Sequence, residues 1–388
     1  MAQRRSHIVD AFISGVYHCT SRCVRKESLL RDPLRRAWII ARLEFLAHFA
    51  AIDVVSFCAM SNHLHLLLVT HPELVATWSD YEVARRKVIL LACLRMHSKS
   101  LDCDEETALE REIAMMLSIP ARIRAARRDL SSLSFFHKLL KEPCAKMWNR
   151  EDNVTGHFWE GRFKSRKVLD WPSLERVAAY IELNEVHARV ATSIPTSLWS
   201  SGQLQWERLS DGLPDVCADS AVANASVDAS QRVLELRWEP VFPCQSAEGE
   251  GLVAHARPPM FPTECANRAP SLLRHIHRVD QAGRRRRPDK AGWISKSQPD
   301  AVSEAIARVL PRLLRGSRAV KLAARSIASW WREMRRAIDS QLDPIPFDQC
   351  ALSMLDAARG SCYGSKEAVA REALRRGQRR MVAVWSGV

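Results

Sequence analysis

Two apolar runs, Ala51 to Ala59 (AIDVVSFCA) and His63 to Thr70 (HLHLLLVT), are separated only by Met60-Ser61-Asn62. Apolar runs of this length read as buried strands, and Ser with Asn suits a tight turn, so the pattern predicts a β-hairpin. The second run opens on His63-Leu64-His65. Side chains at i and i+2 of a strand point the same way, which puts both imidazoles on one face and Leu64 on the other. Such a pair can meet one divalent ion. Taken alone it reads first as two satisfied histidines beside a core, because ligation needs further partners.

Around the hairpin the periodicity is mixed. Residues Ala11 to Thr20 alternate loosely and predict a strand, and Pro33 to Ala50 carries Trp38, Ile39, Leu43, Leu46 and Phe49 at helical spacing. After Pro72 the chain reads as helical through Trp78, Val83, Val88, Leu91 and Leu94, and with interruptions to about Trp148, a long insertion behind the hairpin. Asn149 to Gly156 is polar and turn-prone. His157 to Leu169 then interleaves aromatic and basic residues and reads as a strand or extended loop. Asp170-Trp171-Pro172-Ser173 starts a helix whose apolar positions are Leu174, Val177, Ala178, Ile181 and Leu183, ending between Glu185 and Arg189.

From Ile194 to Trp206 the composition shifts to Pro, Ser, Gly and Trp, which predicts that a first domain, residues 1–205, closes there. The remainder, 206–388, reads as an accessory region. It is partly irregular from Leu213 to Pro270, with a short strand-like piece at Val233 to Trp238, and then helical near 301–314, 319–338 and 366–385.

Charge narrows the partners. The chain of 388 residues has 58 Lys and Arg against 44 Asp and Glu, a net charge of +14 with arginine in runs, which suits a polyanion. The first residues, Met1 to His7, are basic without an apolar signal core, and no later stretch spans a membrane without charges, so a cytoplasmic protein with no membrane partner is expected. Eleven cysteines without a Cys-x-x-Cys pair read as reduced, mostly buried thiols, and nothing in their spacing asks for zinc.

A phosphodiester can be cut by a tyrosine whose phenolate lines up on phosphorus while a divalent cation neutralises the phosphoryl oxygens. Such a site needs an exposed tyrosine on a rigid element, two or three ligands and basic side chains for the strand. His63 and His65 supply two ligands. Asn184 can offer a carbonyl oxygen from the helix bearing Tyr180, one turn away. The chain has only four tyrosines. Tyr17 falls in the first strand pattern, Tyr81 in an acidic helix start and Tyr363 in a distal small-residue loop.

Four motifs in order, Tyr17-His18-Cys19-Thr20-Ser21-Arg22, Met60 to His65, Gly156 to Ser165 (GHFWEGRFKS) and Tyr180-Ile181-Glu182-Leu183-Asn184, resemble the HUH-type single-strand DNA transposases, most closely the REP-associated tyrosine transposases. The resemblance covers about residues 8 to 205. It implies an α+β fold, a ferredoxin-like antiparallel sheet with packed helices, here with a helical insertion at about 95–150 and a mostly helical C-terminal region. It also implies Mg²⁺ or Mn²⁺, with His63, His65 and Asn184 as ligands, and Tyr180 as a nucleophile that forms a 5′-phosphotyrosyl intermediate on single-stranded or hairpin DNA, leaving a 3′-hydroxyl that can reverse the reaction. Relatives commonly carry Pro where this chain has Ser61, Gln where it has Asn184, and Asn-Pro-Val-Arg-Ala-Gly where it has Asn184 to Arg189. None of these departures removes a reactive group.

Arg162, Lys164, Arg166 and Lys167, beside Phe158, Trp159 and Phe163, suit phosphate contact with base stacking, unless the rings pack inward and the charges are simply solvated. Arg22 and His18 are placed on or after the first strand and can line the same groove. The run Arg284 to Arg287 reads first as a solvated loop. Two other readings stay open: a nucleic-acid-binding regulator that does not cut, and a phosphoesterase whose histidine pair activates water. A monomer and a homodimer are equally compatible with the sequence.

Overall fold

The structure is a computed structural model that describes residues 9–92, 94, 105–211, 236–245, 271–305, 308 and 362–377. The chain divides into two compact units, the first comprising Met1–Leu174, Pro240–Asn267 and Arg359–Val388, the second Glu175–Glu239 and Arg268–Ala358.

The first unit is built on a five-stranded sheet. Its strands are β1 (Gly15–Arg22), β2 (Ile52–Ala59), β3 (His63–Thr70), β4 (Lys164–Val168) and β5 (Cys362–Tyr363), in the order β2-β3-β1-β4-β5. The expected hairpin is β2–β3, closed by residues 60–62, where the Met60 amide donates to the His63 carbonyl at 2.9 Å. β1 pairs antiparallel with both β3 and β4, and β5 adds to β4 in parallel. A helix, α1 (Pro33–Phe49), joins β1 to β2, and these two strands run parallel with β3 between them. The first four strands thus follow the split β-α-β pattern of a ferredoxin-like sheet, within an α+β fold.

Local chemistry explains the elements. Asp32 caps α1, its carboxylate accepting from the Leu34 amide at 2.8 Å, and Pro33 occupies the first turn, where a missing N–H costs nothing. Ile39, Leu43 and Leu46 then recur on one buried stripe. The insertion behind the hairpin is helical as expected: α2 (Pro72–Thr77), α3 (Asp80–Ala92), α4 (Glu105–Leu117), α5 (Pro120–Leu130) and α6 (Leu133–Glu151). Within it Arg127 donates to the carbonyls of Val75 and Trp78 at 2.7 and 2.8 Å, which ties α5 to the end of α2. β1 begins four residues later than the sequence pattern suggests. Phe12 and Ile13 are exposed and cannot pay for a buried ladder, whereas Val16 to Cys19 are buried throughout.

α7 (Trp171–Glu182) begins where Asp170 accepts from the Ser173 amide at 2.9 Å. In the second unit follow α8 (Asn184–His187), α9 (Ser201–Asp211) and α10 (Leu272–Arg284). Glu182, buried, accepts from His275 Nε2 at 2.9 Å and from Ser201 Oγ at 3.0 Å, so one carboxylate joins the end of α7 to α9 and α10. The first unit closes with α11 (Lys366–Arg375).

Two expectations change. Tyr363 is not in a loop; it lies on β5 with its ring buried. The arginine run is not simply solvated: Arg284 pairs with Asp280 at 2.6 Å, and buried Arg287 pairs with Asp289 at 2.6 Å. The helix expected at 319–338, most of 206–270 and the later parts of the two flanking helices lie outside the described residues. Among the described residues no helix is long and apolar enough to cross a membrane.

Candidate active site

Strand register sets the chemistry of the sheet's two faces. His65 stands opposite Thr20, His63 opposite Arg22, and His18 lies between Leu67 on β3 and Arg166 on β4. Directly paired residues share a face, so His63, His65, His18, Arg22, Lys164, Arg166 and Tyr363 belong to one face of the first unit. Lys167 pairs with Tyr17 and belongs to the other.

The histidine pair is close and differently exposed. The rings of His63 and His65 have centroids 4.9 Å apart at 84°. His65 is buried and His63 half-buried at the strand's open end. In each ring Nδ1 is engaged: that of His63 lies 2.6 Å from Asn62 Oδ1, and that of His65 lies 3.0 Å from His18 Nε2. The Asn62 oxygen can only accept, which places the His63 proton on Nδ1. A histidine that ligates through one nitrogen characteristically donates through the other. From His65 the line continues: His18 Nδ1 lies 3.0 Å from the Tyr363 hydroxyl, which accepts from Arg166 Nη1 at 3.0 Å. Two imidazoles so placed could hold a divalent cation, and imidazole favours Mn²⁺ over Mg²⁺.

The basic candidates separate by exposure. Arg22, Arg162 and Lys164 are exposed and Arg166 is half-buried. Lys167 is buried on the opposite face, 2.7 Å from Glu372 of α11. Glu372 also receives Arg375 at 2.9 Å and Arg376 at 2.6 Å. Burial alone would raise its pKa, but the three cations outweigh that and hold the carboxyl well below its ordinary range. The aromatic residues beside these cations pack inward. Phe163 stacks on His137 with centroids 3.7 Å apart, Phe158 meets Trp148 at 5.3 Å, and the Trp159 indole donates to the Lys141 carbonyl at 3.2 Å. All three are buried, so base stacking by these rings is not available in this structure.

In the second unit Tyr180 is 1% exposed, with the Lys290 ammonium 5.5 Å from its ring centroid. The exposed tyrosine that the chemistry asks for is therefore covered here. Asn184 is also buried, and its amide donates to the carbonyls of Tyr180 and Ile181 at 2.9 and 3.2 Å. Those bonds fix the amide plane and assign Oδ1 as the atom left to face a ligand.

Sequence reading missed a second group. Asp53, His71 and Cys244 are buried together in the first unit, with one donor atom from each lying within 4.8 Å of the others, and this group could hold a metal ion. The described cysteines, Cys19, Cys23, Cys58, Cys144, Cys244 and Cys362, are buried thiols, and burial pushes those of Cys23 and Cys144 up to about 12.

No protein-family model matches the chain, and no curated protein sequence matches it. One solved structure, a REP-associated tyrosine transposase bound to a REP hairpin, is similar at 11% identity and a TM-score of 0.29, covering 54% of this chain and 87% of that one. That likeness is too slight to establish shared chemistry.

Proposed function

We propose that this chain is a tyrosine DNA-strand transferase of the transposase kind, which cleaves and rejoins single-stranded or hairpin DNA with His63, His65 and Asn184 holding Mg²⁺ or Mn²⁺ and Tyr180 as nucleophile. The observation that carries the reading is the histidine pair: two imidazoles on one strand face, each with Nδ1 engaged, beside exposed Arg22 and Lys164. A divalent cation bound there supplies neutralisation of the phosphoryl oxygens. Arg22, Arg162, Lys164 and Arg166 hold the phosphate backbone through charge-assisted hydrogen bonds. Tyr180 Oη forms the bond to phosphorus as the bond to the 3′ oxygen breaks; the phenol proton is lost and the departing oxygen takes one up. The reverse step restores the phenol and joins strands. Lys167 takes no part, since its ammonium is committed to Glu372.

A second reading has its own observation. Tyr180 is buried, which suits a nucleic-acid-binding regulator that does not cut. One experiment separates the two: incubate the purified chain with a panel of DNA hairpins and Mn²⁺, resolve on a denaturing gel, and map any modified residue. A covalent adduct at Tyr180, lost in Tyr180→Phe and in EDTA, supports the transferase. Hairpin binding by gel shift without adduct on any substrate supports the regulator, and free 5′-phosphate without adduct would indicate water as nucleophile.

A further inference from the structure

Beyond the histidine pair, the first unit contains a second set of donors at the far end of β3. Asp53 lies on β2, the edge strand of the sheet. His71 follows the last residue of β3, and Cys244 comes from a segment 191 residues beyond Asp53. That segment is seated on the edge: Val54 and Phe242 exchange backbone hydrogen bonds at 2.9 and 3.1 Å, and the rings of Phe57 and Phe242 stack with centroids 5.7 Å apart. The Cys244 amide donates to Asp53 Oδ1 at 2.8 Å, and His71 Nε2 lies 2.8 Å from Asp53 Oδ2.

A buried carboxylate beside an imidazole and a thiol costs free energy that a shared cation would return. Asp53 and His71 are both fully buried, 0% exposed, and among the described residues His71 Nδ1 has no hydrogen-bond partner. That nitrogen points away from Asp53, since Nε2 is the one turned to it, so an ion shared with Asp53 would sit on Nε2. A carboxylate, an imidazole and a thiol within 4.8 Å of one another form a donor set of mixed softness, which selects zinc over magnesium or calcium. Charge points the same way. A dication with one carboxylate, one thiolate and a neutral imidazole sums to zero, the condition under which ionic groups can be buried at this depth. An ion seated between Asp53 Oδ2 and His71 Nε2 takes the place of the proton they share, while Asp53 Oδ1 keeps the Cys244 amide.

We propose that Asp53, His71 and Cys244 form a resident zinc site that fastens the Phe242–Cys244 segment to the edge of the sheet, separate from the histidine pair. The ion closes a loop that is long in sequence and covers an edge strand whose free backbone groups would otherwise be open to pairing with another chain.

The test uses the full-length protein purified without chelators after growth in zinc-supplemented medium. Elemental analysis is expected to find about one zinc per chain. Cys244→Ser and His71→Gln are expected to lose it, while the double variant His63→Ala, His65→Ala retains it. Since a core variant can fail to fold, the wild-type chain is also exchanged with Co²⁺, where a thiolate-to-cobalt charge-transfer band is expected. That band should vanish in Cys244→Ser and persist in the His63, His65 double variant. Wild-type protein with only background zinc and no thiolate band on cobalt loading would overturn the proposal. So would zinc that leaves with the His63, His65 pair but stays in Cys244→Ser.

Discussion

The two ends of β3 carry histidines in opposite surroundings. At its beginning, His63 is half-buried, its partner is a neutral asparagine oxygen, and Arg22 opposite it is exposed. Just past its end, His71 is sealed from solvent beside a carboxylate and a thiol. An open end with neutral donors binds a hard or borderline cation weakly enough to exchange and leaves room for a phosphate. A closed end with anionic donors holds a softer cation permanently and has no room for substrate. On the two proposals made above, one strand carries a working site and a fastening site, and the surrounding charge and burial decide which is which.

The contrast breaks most sharply if EDTA fails to separate the two ends. Brief EDTA treatment, like Tyr180→Phe, is expected to abolish the covalent DNA adduct on a denaturing gel while elemental analysis still finds zinc at the closed end. Loss of both metals at equal rates would show that the ends do not differ in kind. Next in size is His65→Ala, which removes a ligand outright. Cleavage in Mn²⁺, normalised to the folded fraction, is expected to fall by about 100-fold or more, and the thermal midpoint to drop as well because His65 is buried and bonded to His18.

A smaller effect tests the line behind His65. His18 touches the proposed ion only through His65, which makes it a positioning residue. His18→Ala is expected to weaken Mn²⁺ binding by about 10- to 100-fold, read by titration in the absence of DNA. His18→Gln keeps a polar group facing His65 Nδ1 and is expected to recover part of the loss. A merely structural role would lower the melting temperature without moving the Mn²⁺ affinity.

How much of this could be read from the chain alone follows from the range of each interaction. The β2–β3 hairpin and the turn at 60–62 were legible because apolar runs and turn residues act locally, and the same holds for α1 and α7. The face shared by His63 and His65 followed from the period of a strand. Tyr363 was misplaced because β5 has two residues, too few for any periodic signal, and its strand character comes from β4 beside it. The inward packing of Phe158, Trp159 and Phe163 stood only as the alternative for a similar reason: their partners, Trp148, Lys141 and His137, sit on α6, and local alternation does not report tertiary packing. Asp53, His71 and Cys244 follow no ligand spacing, since two donors sit on neighbouring elements and the third arrives 191 residues later. Only the fold brings them together.

The smallest expected effect asks whether the closed half of the sheet is also stabilised by ions of its own. On β4, Arg166 faces the histidines and Lys167 the opposite side, where Glu372 gathers Lys167, Arg375 and Arg376. Burial raises the Glu372 pKa and the three cations lower it further than burial raises it, so the folded value lies below the ordinary 4.5. A group whose folded pKa is depressed stabilises the fold above its unfolded value and loses that contribution as pH falls toward the folded one. Glu372→Gln is therefore expected to cost about 1 kcal/mol near neutral pH, a modest figure because part of the cluster meets solvent. The difference from wild type should shrink as pH drops below 4.5, measured by urea denaturation across the acid range. DNA cleavage at neutral pH should stay unchanged, because Glu372 and Lys167 face away from the strand surface that carries His63 and His65. A gap in stability that widened toward acid, or a loss of cleavage at full folding, would mean that the two faces of β4 are not insulated from one another.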